Sequence, residues 1–598
     1  MKLSDYVAQF LIDRGVEDVF LVAGGGMMHL LDSVGSSRLR YYCNYHEQAS
    51  AVAAEGYARI RGLGACMATT GPGAVNLLSG IVGAWQDSIP VLAIVGQVRR
   101  DLIADYAKLR QLGPQEGNSI AMVPAVTKYA KVVMEPASIR YELERAYAAA
   151  VTGRPGPSWL EIPLDVQAST IDETALQGFN PPATEAHEGE QAQLREHVSR
   201  VIAMIQQARR PMIFAGNGIH IAKAEDLFIE AVNLLQCPVG VPHTAKDVLY
   251  QDHPLFQGVV SPNGQRCANY AVQNADLLVS IGSGISATKV GFNYRTFAPK
   301  AKKVIVDVDY GQVFHQAVKP DVGVVADARS FLEELLRQLR GVGLTPNPRW
   351  LEACDMWKRK YPVILDDYFK DGEHVNSYVF MDRLSDLLTS QDTIIAGAGL
   401  DTVSHYQAFR TKPQQRSITS GNWGAMGWDL PLSVGACVAS GKRRTICITG
   451  DGSVQWNVQE LGTIRYHRLP IKIFIFSNGG FGSIRATQRS LLEGRITGAD
   501  PSSGVGTPEF PLVAQAYGMT YSSIRNNQEL RAGLQLTLAG DGPAICEVMI
   551  SPDQAITPKA SAFRRPDGSL ESRPLEDMAP FLPREEVHEN MHLFDDEQ

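Results

Sequence analysis

The sequence predicts an α/β protein built as three doubly wound parallel-sheet domains. Three observations carry that expectation. At 598 residues the chain is longer than one hydrophobic core organises. Short apolar runs alternate with helix-period stretches three times over. Many of those runs stop abruptly at glycine or aspartate, as strands do where a parallel sheet opens to a ligand.

In chain order, Val19 to Val22, Ala65 to Thr70 and Val91 to Val95 are the strand-like runs of a first domain, residues 1–178. The stretch FNPPATEAHEGEQAQ, from Phe179, joins prolines to charges and reads as an exposed linker. The pattern restarts in a second domain, 190–343, with PMIFAGNG, ADLLVSIGSG and KKVIVDVD. A third, 360–551, carries TIIAGAG, RTICITGDG, IKIFIFSN and AICEVMI. The polar segment 552–598 reads as a tail that either lies over the site or is partly disordered.

Composition narrows the function classes. Hydrophobic residues make up 44% and charged residues 20%, as in ordinary globular proteins. A net charge of −8 with a pI near 5.9 offers no basic face to a phosphate backbone, so nucleic acid is not an expected partner. No apolar run reaches bilayer-spanning length, and the amino terminus lacks a signal-like core. The eight cysteines include no C-x-x-C pair, which points to buried free thiols and a cytoplasmic enzyme.

The motif with the most chemistry is GDGSVQWNVQELGTIRYHRLPIKIFIFSN, from Gly450. A strand, a glycine corner with one aspartate and a helix form a phosphate cradle, because small residues let backbone N–H groups approach an anion. The following strand places Asn478 27 positions after Asp451, so both oxygens fall at the carboxyl edge. With a carbonyl near Gly480 they are hard ligands for Mg²⁺ bridging a diphosphate. Taken alone, the same pattern is also a plain turn-rich corner.

Here the chain resembles the thiamine-diphosphate enzymes, whose metal motif is GDG followed about 25 residues later by Asn-Asn; Ser477 stands in the first Asn position. In that family a glutamate placed like Glu47, in YHEQASAVAAEGYARIRG, bonds the cofactor's aminopyrimidine and favours the tautomer that takes a proton from the thiazolium. A carboxyl in an apolar cleft, with a raised pKa, suits such sharing. TTGPGAVN (Thr69 to Asn76) is similar to a cofactor-facing turn that includes Pro72 and Asn76, and SGNWGAMGWDLPLSVGAC resembles the family's run in which Met426, beside Gly424, would be the wedge that bends the cofactor. The resemblance further implies diphosphate contacts at Gly399, Leu400, Asp401, Thr402, Gly450, Gly452, Ser453, Gly480, Phe481 and Gly482.

Among these enzymes the chain is most similar to the acetohydroxyacid synthases, also called acetolactate synthases. VFLVAGGGMMHLLD resembles their glycine loop, so Ala23, Gly24 and Gly25 are expected over the reacting carbon; GPQEGNSIAMVPAVTK resembles their FQE…TK segment, with Gln115 and Glu116 retained and Pro114 in place of Phe. Gln115 is the candidate donor to an acceptor carbonyl. The resemblance implies a homodimer or homotetramer with sites between subunits, Glu47 of one chain facing Asp451 of another. It also implies FAD in the middle domain, at Gly216, Asn217, Gly218, His243, Thr244, Ala245, Gly282, Ser283, Gly284, Asp307, Val308 and Asp327.

Two departures bear on the acceptor. Ser286, Ala287 and Thr288 occupy the place of the synthases' Asp-Asp-Arg, and adjacent Lys289 is a point charge, not a bidentate fork. Thr487 stands near the place of a tryptophan that favours 2-oxobutyrate. The expected reaction is decarboxylation of pyruvate and ligation of the two-carbon unit to a carbonyl. Alternatives are transfer to a ketone or keto-deoxysugar nucleotide, simple 2-oxo acid decarboxylation, and a non-catalytic binder. A decarboxylase would want paired histidines, whereas only His29 and His46 lie near, and a mere binder would not need Glu47.

Overall fold

The computed structural model describes residues 1–180, 188–343, 346–370 and 372–595, so part of the linker reading at Phe179 lies outside the described residues. Three six-stranded sheets, parallel throughout, dominate the molecule. The first holds β1 (Asp18–Leu21), β2 (Arg40–Cys43), β3 (Gly64–Ala68), β4 (Val91–Gln97), β5 (Tyr129–Val132) and β6 (Ser158–Pro163), in the order β2-β1-β3-β4-β6-β5. The second holds β7 (Pro211–Ala215), β8 (Val239–Val241), β9 (Phe256–Val259), β10 (Leu277–Ile281), β11 (Lys302–Asp307) and β12 (Val322–Val325), in the order β12-β11-β10-β7-β8-β9. The third holds β13 (Thr393–Ala396), β14 (Ser417–Thr419), β15 (Thr445–Gly450), β16 (Ile471–Ser477), β17 (Thr520–Ile524) and β18 (Ala544–Met549), in the order β14-β13-β15-β16-β18-β17.

First and third sheets therefore share one topology. Renumbered from its own first strand, the second has the order 3-2-1-4-5-6, which places its topological switch point between β7 and β10. Continuous apolar runs form these strands because helices cover both faces: β3, β4, β6, β7 and β10 are buried along all or nearly all of their length.

The first and third units share a core. Phe20, Val91 and Trp159 lie in one apolar cluster with Leu430, Val434, Ile471 and Ile473. Helices Glu47–Arg61 and Asp429–Ala439 cross there at backbone contact, which glycine permits. A Cβ on Gly435 would sit 1.8 Å from the Ala53 carbonyl oxygen, and one on Gly56 would sit 2.3 Å from that of Leu432.

Helix Pro348–Lys360 lies beyond the expected end of the middle domain at 343, yet it buries Trp350 and Trp357 against the middle unit's core. The tail, expected over the site or disordered, folds back on that core instead. Leu575 and Phe594 join the cluster, and the Trp357 indole donates to Asn590 Oδ1 at 2.9 Å. Its hairpin, β19 (Ala562–Arg564) with β20 (Leu570–Ser572), is antiparallel. Seven of the eight free cysteines are buried; Cys43 is exposed. No described helix is long and apolar enough to cross a membrane.

Candidate active site and switch-point cleft

Three loops gather around Glu47 at the carboxyl edge of the first sheet. Glu47 opens the helix after β2, with His46 as N-cap accepting from the Gln48 N–H. Asn76, in helix Pro72–Asp87, donates to Glu47 Oε2 at 3.0 Å. Glu47 Oε1 accepts no hydrogen bond among the described residues and points to Gly73, where a Cβ would lie 3.2 Å away. The loop 23–26 packs on Thr69, whose hydroxyl accepts from Gly26 N at 2.9 Å; a Cβ on Gly24 would collide with that side chain at 2.5 Å, whereas Ala23 and Gly25 are exposed. Pro72 is the first residue of its helix and follows Gly71, at φ +59°. The Gln115 carbonyl oxygen would lie 1.7 Å from a Cβ on Gly71, and the Gln115 side chain is exposed. Glu116 fixes that segment by accepting from the N–H groups of Ala104, Leu112 and Gly113.

At the edge of the third sheet, β15 and β16 pair in register, bringing Asp451 beside Asn478. Asp451 is fully buried; Oδ1 accepts from Gly452 N at 2.8 Å, and Oδ2 from the N–H groups of Asn478, Gly479 and Gly480 at 3.0, 2.8 and 3.1 Å. Burial lifts its carboxyl above the ordinary range against the pull of these bonds. The strand-to-helix turns are lined by backbone: Gly399 and Gly480 have φ near +103° and +110°, and a Cβ on Gly452 would strike the Phe481 ring. Gly482 opens the next helix and lies against the Asn478 amide. Ser453 does not face open space; its hydroxyl accepts from Gly427 N and donates to Asp429. Met426 is half-buried in a loop between two left-handed glycines, Gly424 and Gly427. Leu400, Asp401 and Thr402 form the first turn of helix Leu400–Ala408, with the Thr402 hydroxyl donating to the Gly397 carbonyl. Among the described residues no three His, Cys, Asp or Glu side chains cluster as a metal site, so any cation here relies on one carboxylate, neutral oxygens and its ligand's phosphates.

The middle unit carries a cleft of about 420 Å³ at its switch point. Asn217, Gly218, Thr244, Gly282, Gly284, Asp307, Val308 and Asp327 line it. Gly216, His243, Ala245 and Ser283 are not among its lining residues. Gly216 N bonds the Ile281 carbonyl, His243 faces the Gly421 carbonyl and the Tyr406 ring, and Ala245 and Ser283 are buried. Burial and nearby Lys289 bring the His243 imidazole down to about 4. Asp327 also caps helix Ala328–Leu339.

Sequence reasoning missed the walls that other units supply: Arg59, Asp87 and Arg154 from the first, and Asn422 from the third. Arg59 is buried between Glu55 and Asp87, Trp428 donates to Glu55, and Asp87 accepts from Asn422 N. Arg154 pairs with Asp309 at 3.1 Å. The one available signal was arginine in the glycine-proline turn TGRPGP ahead of β6.

The chain matches the thiamine pyrophosphate enzymes in three consecutive parts: the N-terminal TPP binding domain over residues 1–122, the central domain over 198–335 and the C-terminal TPP binding domain over 397–548. It belongs to that family. It is 31% identical over 568 residues to a protein of Methanocaldococcus jannaschii described as a probable acetolactate synthase large subunit, covering 93% of each chain. It is 29% identical over 580 residues to the acetolactate synthase isozyme 2 large subunit of Escherichia coli K12, covering 97% of this chain and all of the other. To an acetolactate synthase of Arthrospira platensis it is 30% identical over 563 residues, covering 91% and 93%. The chain is thus an enzyme of the thiamine-pyrophosphate-dependent class, close to acetolactate synthases.

Proposed function

We propose that the chain decarboxylates pyruvate and ligates the two-carbon unit to a carbonyl acceptor, with thiamine diphosphate, Mg²⁺ and FAD bound. The observation that carries this reading is Glu47: a helix-opening carboxylate oriented by one amide, Asn76, with its second oxygen left for a ligand beside Gly73. The cofactor residues fit the group, since glycine turns with hard oxygens at Asp451, Asn478 and Gly480 match a magnesium diphosphate. When bound, its thiazolium accepts the electron pair left as CO₂ departs. The protein's share is to move a proton at Glu47, support the ring above Met426, bring backbone from Ala23 to Gly25 to the reacting end, and hold the acceptor near Gln115.

FAD is proposed for the switch-point cleft, whose strand order and glycine-lined strand ends suit a dinucleotide. A purified sample should then be yellow, with a flavin absorbance spectrum released on denaturation; a colourless protein that takes up no added FAD removes flavin from the proposal. A second copy is proposed to complete the site, in keeping with exposed Met28, Tyr45, Trp423 and Trp456 near these loops. Free thiols fit a cytoplasmic setting.

An uncharged ketone is the alternative acceptor, favoured by position 288: Thr288 offers no cation, and the Lys289 amine is buried between the charges of Asp87 and Asp307, brought down to about 8 chiefly by burial. Product analysis with pyruvate alone and then with added ketones separates the two. Glu47→Gln should lower pyruvate-dependent CO₂ release by about 10²-fold or more while thiamine diphosphate still binds; unchanged release sinks the assignment.

A further inference from the structure

Two buried carboxyls, Asp401 and Asp429, face each other beneath the turns at the carboxyl edge of the third sheet. Asp401 lies in the first turn of helix Leu400–Ala408, and Asp429 opens helix Asp429–Ala439; they are 2% and 1% exposed. Both point at Gly397, after β13. A Cβ there would lie 2.1 Å from Asp429 Oδ2 and 2.8 Å from Asp401 Oδ2, so those two oxygens are less than about 5 Å apart. Asp429 is well connected: Oδ1 accepts from Leu430 N at 2.8 Å and Oδ2 from the Ser453 hydroxyl at 3.1 Å, while that hydroxyl accepts from Gly427 N. Asp401 Oδ2 is buried and has no hydrogen-bond partner among the described residues. Facing the pair from β15 are the Thr449 hydroxyl and the buried Cys447 thiol, and no ion pair is formed by either carboxyl among the described residues. Like charges so close in a buried site cannot both persist.

We propose that Asp401 and Asp429 share a single proton, and that this acid pair locks the turns 397–402, 424–429 and 449–453 into one frame for the diphosphate. The role is positioning, and it rests on the thiamine diphosphate reading above. Burial, reinforced by Asp429, holds the Asp401 carboxyl well above the ordinary range, and burial raises Asp429 too.

The sign follows from linkage. The folded chain keeps a proton that the unfolded chain releases near pH 4, so this pair lowers stability as pH rises from about 4 through the folded value. Asp401→Asn replaces the shared proton by an N–H and removes the titration. Relative to wild type, its thermal midpoint should therefore climb between about pH 5 and 8. Infrared difference spectra of cofactor-free protein at about pH 8 should show a protonated-carboxyl C=O band in wild type that Asp401→Asn and Asp429→Asn each lose. Asp401→Leu should bind thiamine diphosphate with Mg²⁺ about tenfold or more weakly than wild type, with Asp401→Asn intermediate.

The shared proton is refuted if that band is absent from wild type or survives in both Asn variants, or if the midpoint difference is flat in pH. Equal affinity in Asp401→Leu refutes the positioning role. Because the infrared and thermal arms use protein without cofactor, failure of the underlying cofactor reading is separately visible as wild type that binds no thiamine diphosphate.

Discussion

His220 shows how one side chain can tie two units together. Its ring is nearly buried, with Nδ1 2.7 Å from Glu225 Oε1 and Nε2 2.9 Å from Asp247 Oδ1; Asp247 also accepts from Ser417 N on β14 and faces Arg416. Burial and the Arg416 cation push the imidazole down, but the two carboxylates prevail and its pKa is raised. A raised histidine stabilises fully below its unfolded value, about 6.5, and that contribution is lost as pH climbs through the folded value. The stability advantage of wild type over His220→Gln should therefore be greatest at about pH 6 and shrink toward pH 9, read as the difference in thermal midpoint. An advantage that grows with pH would show that the ring is neutral in the native state. Lys246, buried nearby with its amine brought down to about 7 by burial, is a second group that charges only at a cost.

At the scale of elements, the crossing of helices Glu47–Arg61 and Asp429–Ala439 governs the geometry of both halves of the site. One helix begins at Glu47, and the other follows the loop that holds Met426. Their separation is set by backbone contact at Gly56 and Gly435, with side chains filling only the flanks. Gly435→Ala must push the helices apart, because its methyl would meet the Ala53 oxygen at 1.8 Å. The cost expected for such overpacking is about 1–3 kcal/mol. Calorimetry should show a lower midpoint, and thiamine diphosphate affinity should fall by about tenfold, since the two anchoring loops no longer keep register. Loss of stability with affinity intact would mean that the loops are positioned independently of this crossing.

At the scale of the whole molecule, the tail acts as a fourth layer on the middle unit. Asn590 accepts from Trp357 and donates to the Tyr361 hydroxyl, the Tyr361 hydroxyl donates to Glu586, and Phe594 packs edge-on against Trp350 with centroids 5.7 Å apart. Removing residues 584–598 should expose both tryptophans, shifting fluorescence to longer wavelength and lowering the midpoint, while thiamine diphosphate affinity stays within about threefold because the diphosphate corner lies in another unit. Unshifted emission would show that the middle core closes without the tail. The repeated strand order of the first and third sheets gives the molecule two similar edges, which hold Glu47 on one and Asp451 on the other.

The sequence by itself determined the fold class and the chemical corners. Strand-ending glycines and aspartates at 216–218, 282–284 and 450–452 are local signals, because a parallel strand that stops at a ligand must change direction within a few residues. Short or irregular strands such as β14 and β17 carried no such signal, and the tail's docking face is readable only beside Trp350 and Trp357. Tertiary structure alone decided that Arg59, Asp87, Arg154 and Asn422 close the switch-point cleft, and that Asp401 meets Asp429 over Gly397. Those meetings join residues from different strands and units, and their distances are fixed by strand order and helix separation, which leave no period or spacing along the chain.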